Sequence, residues 1–243
     1  MAQAAGARPV WVFQVSEGDE PGHFGEFLDR ESIVWHHFRL DRGDLVPREA
    51  SGCAGIGFMG GPMSVNDPLP WVEPVLGLIR DAVSRDIPYI GHCLGGQLLS
   101  KALGGVVSRN PVKEIGWSRV EPEDNATARE WLGEAEQALT VFQWHGETFT
   151  IPDGATRILR GEHCANQAFV VHGRHLGMQC HVEMTDHIIA TWCGSSSAEV
   201  SRSAASPAVE PVADIRARVA ENLPALNALA DRLYTRWARG LAR

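Results

Sequence analysis

Apolar positions along the chain follow two periods in turn. Val10–Val15 (VWVFQV), Ile33–Leu40, Gly55–Met59 and Ile87–Ile90 are short, dense apolar runs bounded by polar or glycine-rich segments. Such runs predict strands buried on both faces. Between them, apolar residues recur every three or four positions. Gly22–Glu31 places Phe24, Phe27 and Leu28 on one face, Trp71–Ser84 does so with Val72, Val75, Leu76, Ile79, Ala82 and Val83, and Leu94–Leu103 follows the same period. Strand and helix in this alternation predict an α/β fold with a mostly parallel central sheet flanked by helices.

The second half is richer in strands, with candidates at Gly116–Val120, Ala138–Trp144, Arg157–Arg160, Gln167–Val171 and Leu176–His181. Thr185–Trp192 reads as a helix with Thr185 as its cap. Gly194–Pro211, rich in Ser and Ala, reads as a surface loop. The tail at about 211–241 is amphipathic: Val212, Ile215, Val219, Leu226, Leu229, Leu233, Trp237 and Leu241 recur at helical spacing. Pro224 predicts a kink there, or a new helix starting after Asn222. With no internal repeat and no linker, residues 1–243 read as a single domain ending in this helical segment.

Composition narrows the partners. Hydrophobic residues make up 44% of the chain and charged ones 21%, with a formal net charge of −8. The acidic balance argues against nucleic acid as a partner, which needs clustered Lys and Arg. No apolar run approaches a membrane span, and the N-terminal MAQAAGARPVWVFQV shows no secretory pattern. A cytoplasmic protein without membrane contact is the expectation. The five cysteines at 53, 93, 164, 180 and 193 are irregularly spaced and include no CxxC, so neither disulfides nor a structural zinc site is expected. His36 and His37 point to opposite strand faces, and His163, His172 and His175 lie near turns where solvent is the expected neighbour. No metal is predicted.

One stretch concentrates chemistry. In Pro88-Tyr-Ile-Gly-His-Cys93-Leu-Gly-Gly-Gln97 a buried strand runs directly into a helix, with Gly91 and Gly95 two residues either side of Cys93. This G-x-nucleophile-x-G spacing suits a turn so sharp that flanking side chains would collide. It exposes the sulfur at the C-terminal edge of the sheet and at a helix N-terminus, which favours thiolate. Taken alone, the five residues fit a nucleophile or a structural turn with a buried thiol equally well.

Three further segments appear with it in order: Met59-Gly-Gly-Pro-Met-Ser-Val65, Val141-Phe-Gln-Trp-His-Gly146 and Leu176-Gly-Met-Gln-Cys-His181-Val-Glu183. Together they resemble the class I (triad-type) glutamine amidotransferases, and free-standing relatives of the amidotransferase domain of GMP synthase above all. The resemblance implies a flavodoxin-like fold and a triad of Cys93, His181 and Glu183. It implies an oxyanion hole from the backbone N–H groups of Gly61 and Leu94, and substrate contacts at Gln97, Gln143, Trp144 and His145. The residue-level logic agrees: a histidine can take the thiol proton while a carboxylate two positions on holds its tautomer. Two departures stand out. Val182 replaces the family's proline, and Gly96 stands where many relatives carry His or Met, a change expected to reshape the pocket.

The implied reaction is cleavage of the γ-carboxamide of glutamine, or of a related γ-glutamyl amide, through a Cys93 thioester. No cofactor is required. The chain carries no P-loop or nucleotide-binding glycine motif, so an ammonia-accepting synthetase would be a separate chain. A stand-alone hydrolase of γ-glutamyl peptides or polyamine conjugates is the alternative. A non-catalytic regulatory module on the same fold is the third reading.

Overall fold

Among the described residues, ten strands form one sheet. In chain order they are β1 (Val10–Gln14), β2 (Trp35–Arg39), β3 (Gly55–Phe58), β4 (Tyr89–His92), β5 (Val107–Pro122), β6 (Leu139–Phe149), β7 (Ala155–Gly161), β8 (Ala168–Val171), β9 (His175–Met178) and β10 (Ala208–Val209). The helices are α1 (Gly22–Arg30), α2 (Val72–Ser84), α3 (Leu94–Ala102), α4 (Ala126–Leu132), α5 (Asp186–Ser195), α6 (Ser197–Arg202), α7 (Val212–Ala217) and α8 (Val219–Ala238). The computed structural model describes residues 8–133 and 138–241. Residues 1–7, part of the N-terminal stretch in which no secretory pattern was read, lie outside that range.

A parallel block β2-β1-β3-β4-β9 makes the heart of the sheet, and antiparallel β8, β7, β5 and β6 continue it. Parallel strands must be covered on both faces. Phe24 and Leu28 of α1 pack with Leu233 and Trp237 of α8 over one face, while Val75 and Ile79 of α2 pack with Leu98 and Leu99 of α3 over the other. Each fully buried side chain of this size contributes about 2 kcal/mol, so the helical stripes seen in the sequence are what clamp the sheet.

The differences from expectation have local causes. β5 begins well before Gly116, because its polar first half pairs with β6 across an irregularity between Arg109 and Glu114. α4 was not predicted; Asn125 caps it by accepting from the Ala128 N–H at 2.8 Å. The Ser-rich segment is no simple loop, since α6 anchors it through buried Val200 and β10 pairs in parallel with β5. Thr185 caps α5 as expected, accepting from the Ile188 N–H at 3.2 Å. Pro224 lies early in α8, and the helix runs through it; the break in the tail falls at Arg218, between α7 and α8. His175 is fully buried in β9, contrary to expectation, and desolvation lowers its pKa to about 4.

Gly96 also differs from its expected role. A Cβ there would stand 2.3 Å from the Met178 carbonyl oxygen and 2.8 Å from its nitrogen, so this glycine lets α3 lie directly on β9. It faces strand backbone and is not among the residues lining the cleft described below. Gly96→Ala is therefore expected to cost about 1–3 kcal/mol through overpacking, read as a drop of several degrees in the unfolding midpoint. An unchanged midpoint would show that α3 can lift from β9 freely.

Candidate active site

Cys93 sits between β4 and α3 with φ 48° and ψ −102°, a backbone conformation side chains rarely adopt. The elbow explains it. A Cβ on Gly91 would come 2.3 Å from the Gly95 carbonyl carbon, and one on Gly95 would come 2.4 Å from the Phe58 oxygen. The chain can thus turn from strand to helix in one residue, with the strain held at Cys93 itself. Leu94 opens the helix, so its N–H has no acceptor one turn back. Gly61 lies against it: a Cβ there would be 2.9 Å from Leu94 Cδ2. The two residues expected to supply oxyanion donors are neighbours.

His181 and Glu183 are not on a strand. β9 ends at Met178, and the chain then leaves the sheet, tied by the His181 N–H to the Phe142 carbonyl at 2.9 Å. That departure brings His181 to Cys93. Its Nδ1 lies 2.6 Å from Glu183 Oε1, with both side chains almost wholly buried. Burial alone would favour a neutral ring. The facing Glu183 carboxylate and Cys93 outweigh it and hold the His181 pKa well above its ordinary value. For Glu183, too, burial opposes the charge, but His181 overrides it and keeps the carboxyl below its usual range. Nδ1 is thus committed to Glu183, while Nε2 is buried without an aligned hydrogen bond.

Several residues the sequence did not single out complete the site. Gln179 donates to Cys93 Sγ at 3.4 Å and accepts from Gln97 at 3.3 Å, which links the predicted substrate contact to the thiol. Trp192 of α5 sets its ring edge-on to His181 at 4.9 Å and donates to the Gly18 carbonyl at 2.7 Å. Asp19, which burial raises above the usual carboxylate range, stands close enough to His181 to feel its charge. A Gln preceding the H-x-E segment was the one available hint; nothing local marked Trp192 or Asp19.

These groups open onto a cleft of about 840 Å³ lined by Gly61, Cys93, Gln97, Trp144, His145, His181 and Trp192, among others. Gln143 is not in its wall; its side chain donates to Ser118 Oγ at 3.1 Å. Cys53, Cys164, Cys180 and Cys193 are buried, and desolvation raises all four thiols, Cys53 to about 12. Cys93 alone among the cysteines reaches the cleft.

An open parallel α/β sheet with a strained cysteine elbow at its C-terminal edge defines the class of protein. The model of the glutamine amidotransferase class-I family matches residues 30–188. A crystal structure of a glutamine amidotransferase from Methylobacillus flagellatus is similar with a TM-score of 0.95 and 47% identity, covering 98% of this chain and 97% of that one. A putative glutamine amidotransferase-like protein, YfeJ of Salmonella typhimurium, is 29% identical over 76% of this chain and 79% of its own. A glutamine-hydrolyzing GMP synthase of Lacticaseibacillus casei is 33% identical over 54% of this chain, but over only 24% of its own length. The chain belongs to the class-I glutamine amidotransferase family. Among the described residues no helix is long and apolar enough to cross a membrane.

Proposed function

We propose that the protein hydrolyses the γ-carboxamide of glutamine or a related γ-glutamyl amide, with Cys93, His181 and Glu183 as its catalytic triad. The observation that carries this is the polarised histidine: Nδ1 held by Glu183 at 2.6 Å, Nε2 unpaired and buried beside the strained Cys93. Apo hydrogen bonds of this kind often tighten only when substrate binds.

Cys93 thiolate attacks the amide carbon. The oxygen that becomes negative faces the backbone N–H groups of Gly61 and Leu94, each worth on the order of 3 kcal/mol to such an intermediate. His181 gives its Nε2 proton to the departing nitrogen, which leaves as ammonia or an amine. The neutral ring then takes a proton from water, the hydroxide adds to the thioester, and glutamate departs as the thiolate re-forms. Gln97, Trp144 and His145 frame the amino-acid end of the substrate, and Gln179 braces Gln97 from behind.

A second reading rests on the size of the cleft. About 840 Å³, flanked by Trp144, Trp192, Glu17 and Glu20, is ample for a leaving group much larger than ammonia. This favours a stand-alone hydrolase of larger γ-glutamyl amides over a glutaminase that hands ammonia to a separate synthetase chain. Release of glutamate should therefore be measured from glutamine and from a panel of γ-glutamyl amides, with Cys93→Ala as control. Turnover of the larger amides well above that of glutamine supports the stand-alone reading. Turnover appearing only with a synthetase supports the coupled one, and Cys93-independent turnover overturns both.

A further inference from the structure

A second Cys, His and Glu trio lies outside this machinery. Glu114 of β5 and His145 of β6 are directly opposed across the strand pair, just past the irregularity in β5. Cys164 approaches them from the turn after β7, closed by a Gly161 N–H to Cys164 carbonyl bond of 3.0 Å. One donor atom from each residue lies within 4.8 Å of the other two, and all three residues are buried.

The polar contacts of the trio leave it incomplete. His145 Nδ1 stands 2.9 Å from the Glu147 carbonyl, which can only accept, so Nδ1 carries a hydrogen. In the neutral ring Nε2 is then a bare lone pair, and it lies 3.0 Å from Glu114 Oε2, another acceptor. The carboxylate oxygen also sits off the ring axis, so that Nε2 has no aligned hydrogen bond. Two lone pairs set side by side and off axis are arranged to share a third atom between them. Glu114 has one further contact, from the Gln167 amide at 3.1 Å, and Gln167 Oε1 is itself buried and unpartnered. Cys164 Sγ meets only Thr148 Oγ1 at 3.2 Å and the Asn166 carbonyl at 3.8 Å.

We propose that Glu114, His145 and Cys164 bind one tetrahedral divalent cation of the zinc type. The donor set suits zinc, which takes thiolate sulfur, imidazole nitrogen and carboxylate oxygen. A histidine ligand ordinarily donates its other ring N–H to a carbonyl or carboxylate, as His145 does to Glu147. Charge also closes: carboxylate, thiolate and neutral imidazole around a doubly charged ion sum to zero, where an unmatched carboxylate in this interior would be costly. A water would complete the fourth position, and Gln167, whose amide donates to Glu114, has a buried, unpartnered Oε1 that could accept from it. The ion would pin β5, β6 and the β7 turn together behind the cleft wall that His145 lines.

The test is metal content. The chain is produced in medium supplemented with zinc, or with cobalt in its place, and purified without chelator. About one equivalent per chain is expected, and the cobalt form should show tetrahedral d–d absorption with a thiolate-to-cobalt band. Both signals should persist in Cys93→Ala, which separates this site from the proposed nucleophile. The thiolate band should vanish in Cys164→Ser, and Glu114→Gln should lower the bound metal. If those variants do not fold, the stoichiometry and cobalt spectrum of the unmodified chain still decide. Under about a tenth of an equivalent in the folded, unmodified protein, or a cobalt spectrum without thiolate, overturns the proposal in favour of a buried imidazolium–carboxylate pair.

Discussion

Cys93→Ala is expected to abolish the proposed amide hydrolysis, with a loss on the order of 10⁵-fold or more, as for removal of a nucleophile from a concerted triad. Alanine has no atom to attack with, and the remaining oxyanion donors give only residual rate. The same position makes a second, independent measurement possible. At φ 48° and ψ −102° every residue with a Cβ is strained, alanine included. Cys93→Gly, equally inactive, relieves that strain but loosens the unfolded chain, for a net gain of about 1 kcal/mol over Cys93→Ala. Thermal unfolding of the two variants side by side reads the difference. Equal midpoints would mean that the strain relieved only matches the freedom glycine adds to the unfolded chain, a lower midpoint for Cys93→Gly would mean that the elbow stores little strain, and appreciable activity in either variant would remove Cys93 from the mechanism.

Glu183→Gln should leave the site assembled but lower kcat by about 10²–10⁴-fold with little change in KM, because in the proposed mechanism the carboxylate orients the base without touching substrate. Its signature is in the pH profile. Glu183 holds the His181 pKa up, so its loss lets burial pull that pKa down. If His181 must be protonated to release the amine, the alkaline limb of kcat moves to lower pH. Stability carries the same sign. The raised His181 pKa contributes stability that is complete below the ordinary 6.5 and is lost as pH rises through the folded value. The depressed Glu183 pKa contributes stability present above the ordinary 4.5 and lost as pH falls through its folded value. The gap in unfolding midpoint between the native chain and Glu183→Gln should therefore be widest between 4.5 and 6.5. A gap independent of pH, or an alkaline limb that stays put, would assign Glu183 a packing role only.

The elbow was legible because its pattern is local: Gly91, Cys93 and Gly95 fall within five residues and the flanking strand and helix announce themselves by period, although the close approach that requires Gly95 is to Phe58 of β3. His181 and Glu183 were legible as a pair for the same reason. What brings them to Cys93 was not, because it depends on where β9 stops pairing and on the single bridge to Phe142. Gln179 and Trp192 reach the site through that loop and through α5, neither of which carries a spacing rule. The Glu114, His145 and Cys164 trio was hidden more deeply. Its members come from two opposed strands and a turn, and strand register, set here by the irregularity in β5, cannot be read from residue spacing. Gly96 was visible as a departure, but its reason lies in backbone atoms of β9 that no motif records.

α8 reaches back to the elbow from the far end of the described chain. The Tyr234 hydroxyl and His92 Nε2 share a hydrogen bond of 3.0 Å, and the tyrosine ring lies edge-on to that histidine, the residue immediately before Cys93. During synthesis, a nascent chain that has emerged through residue 183 already holds every group proposed for the chemistry, yet lacks the helix that covers His92. The turn that carries Cys93 would therefore be covered late, only once α8 has been made and Tyr234 has reached His92.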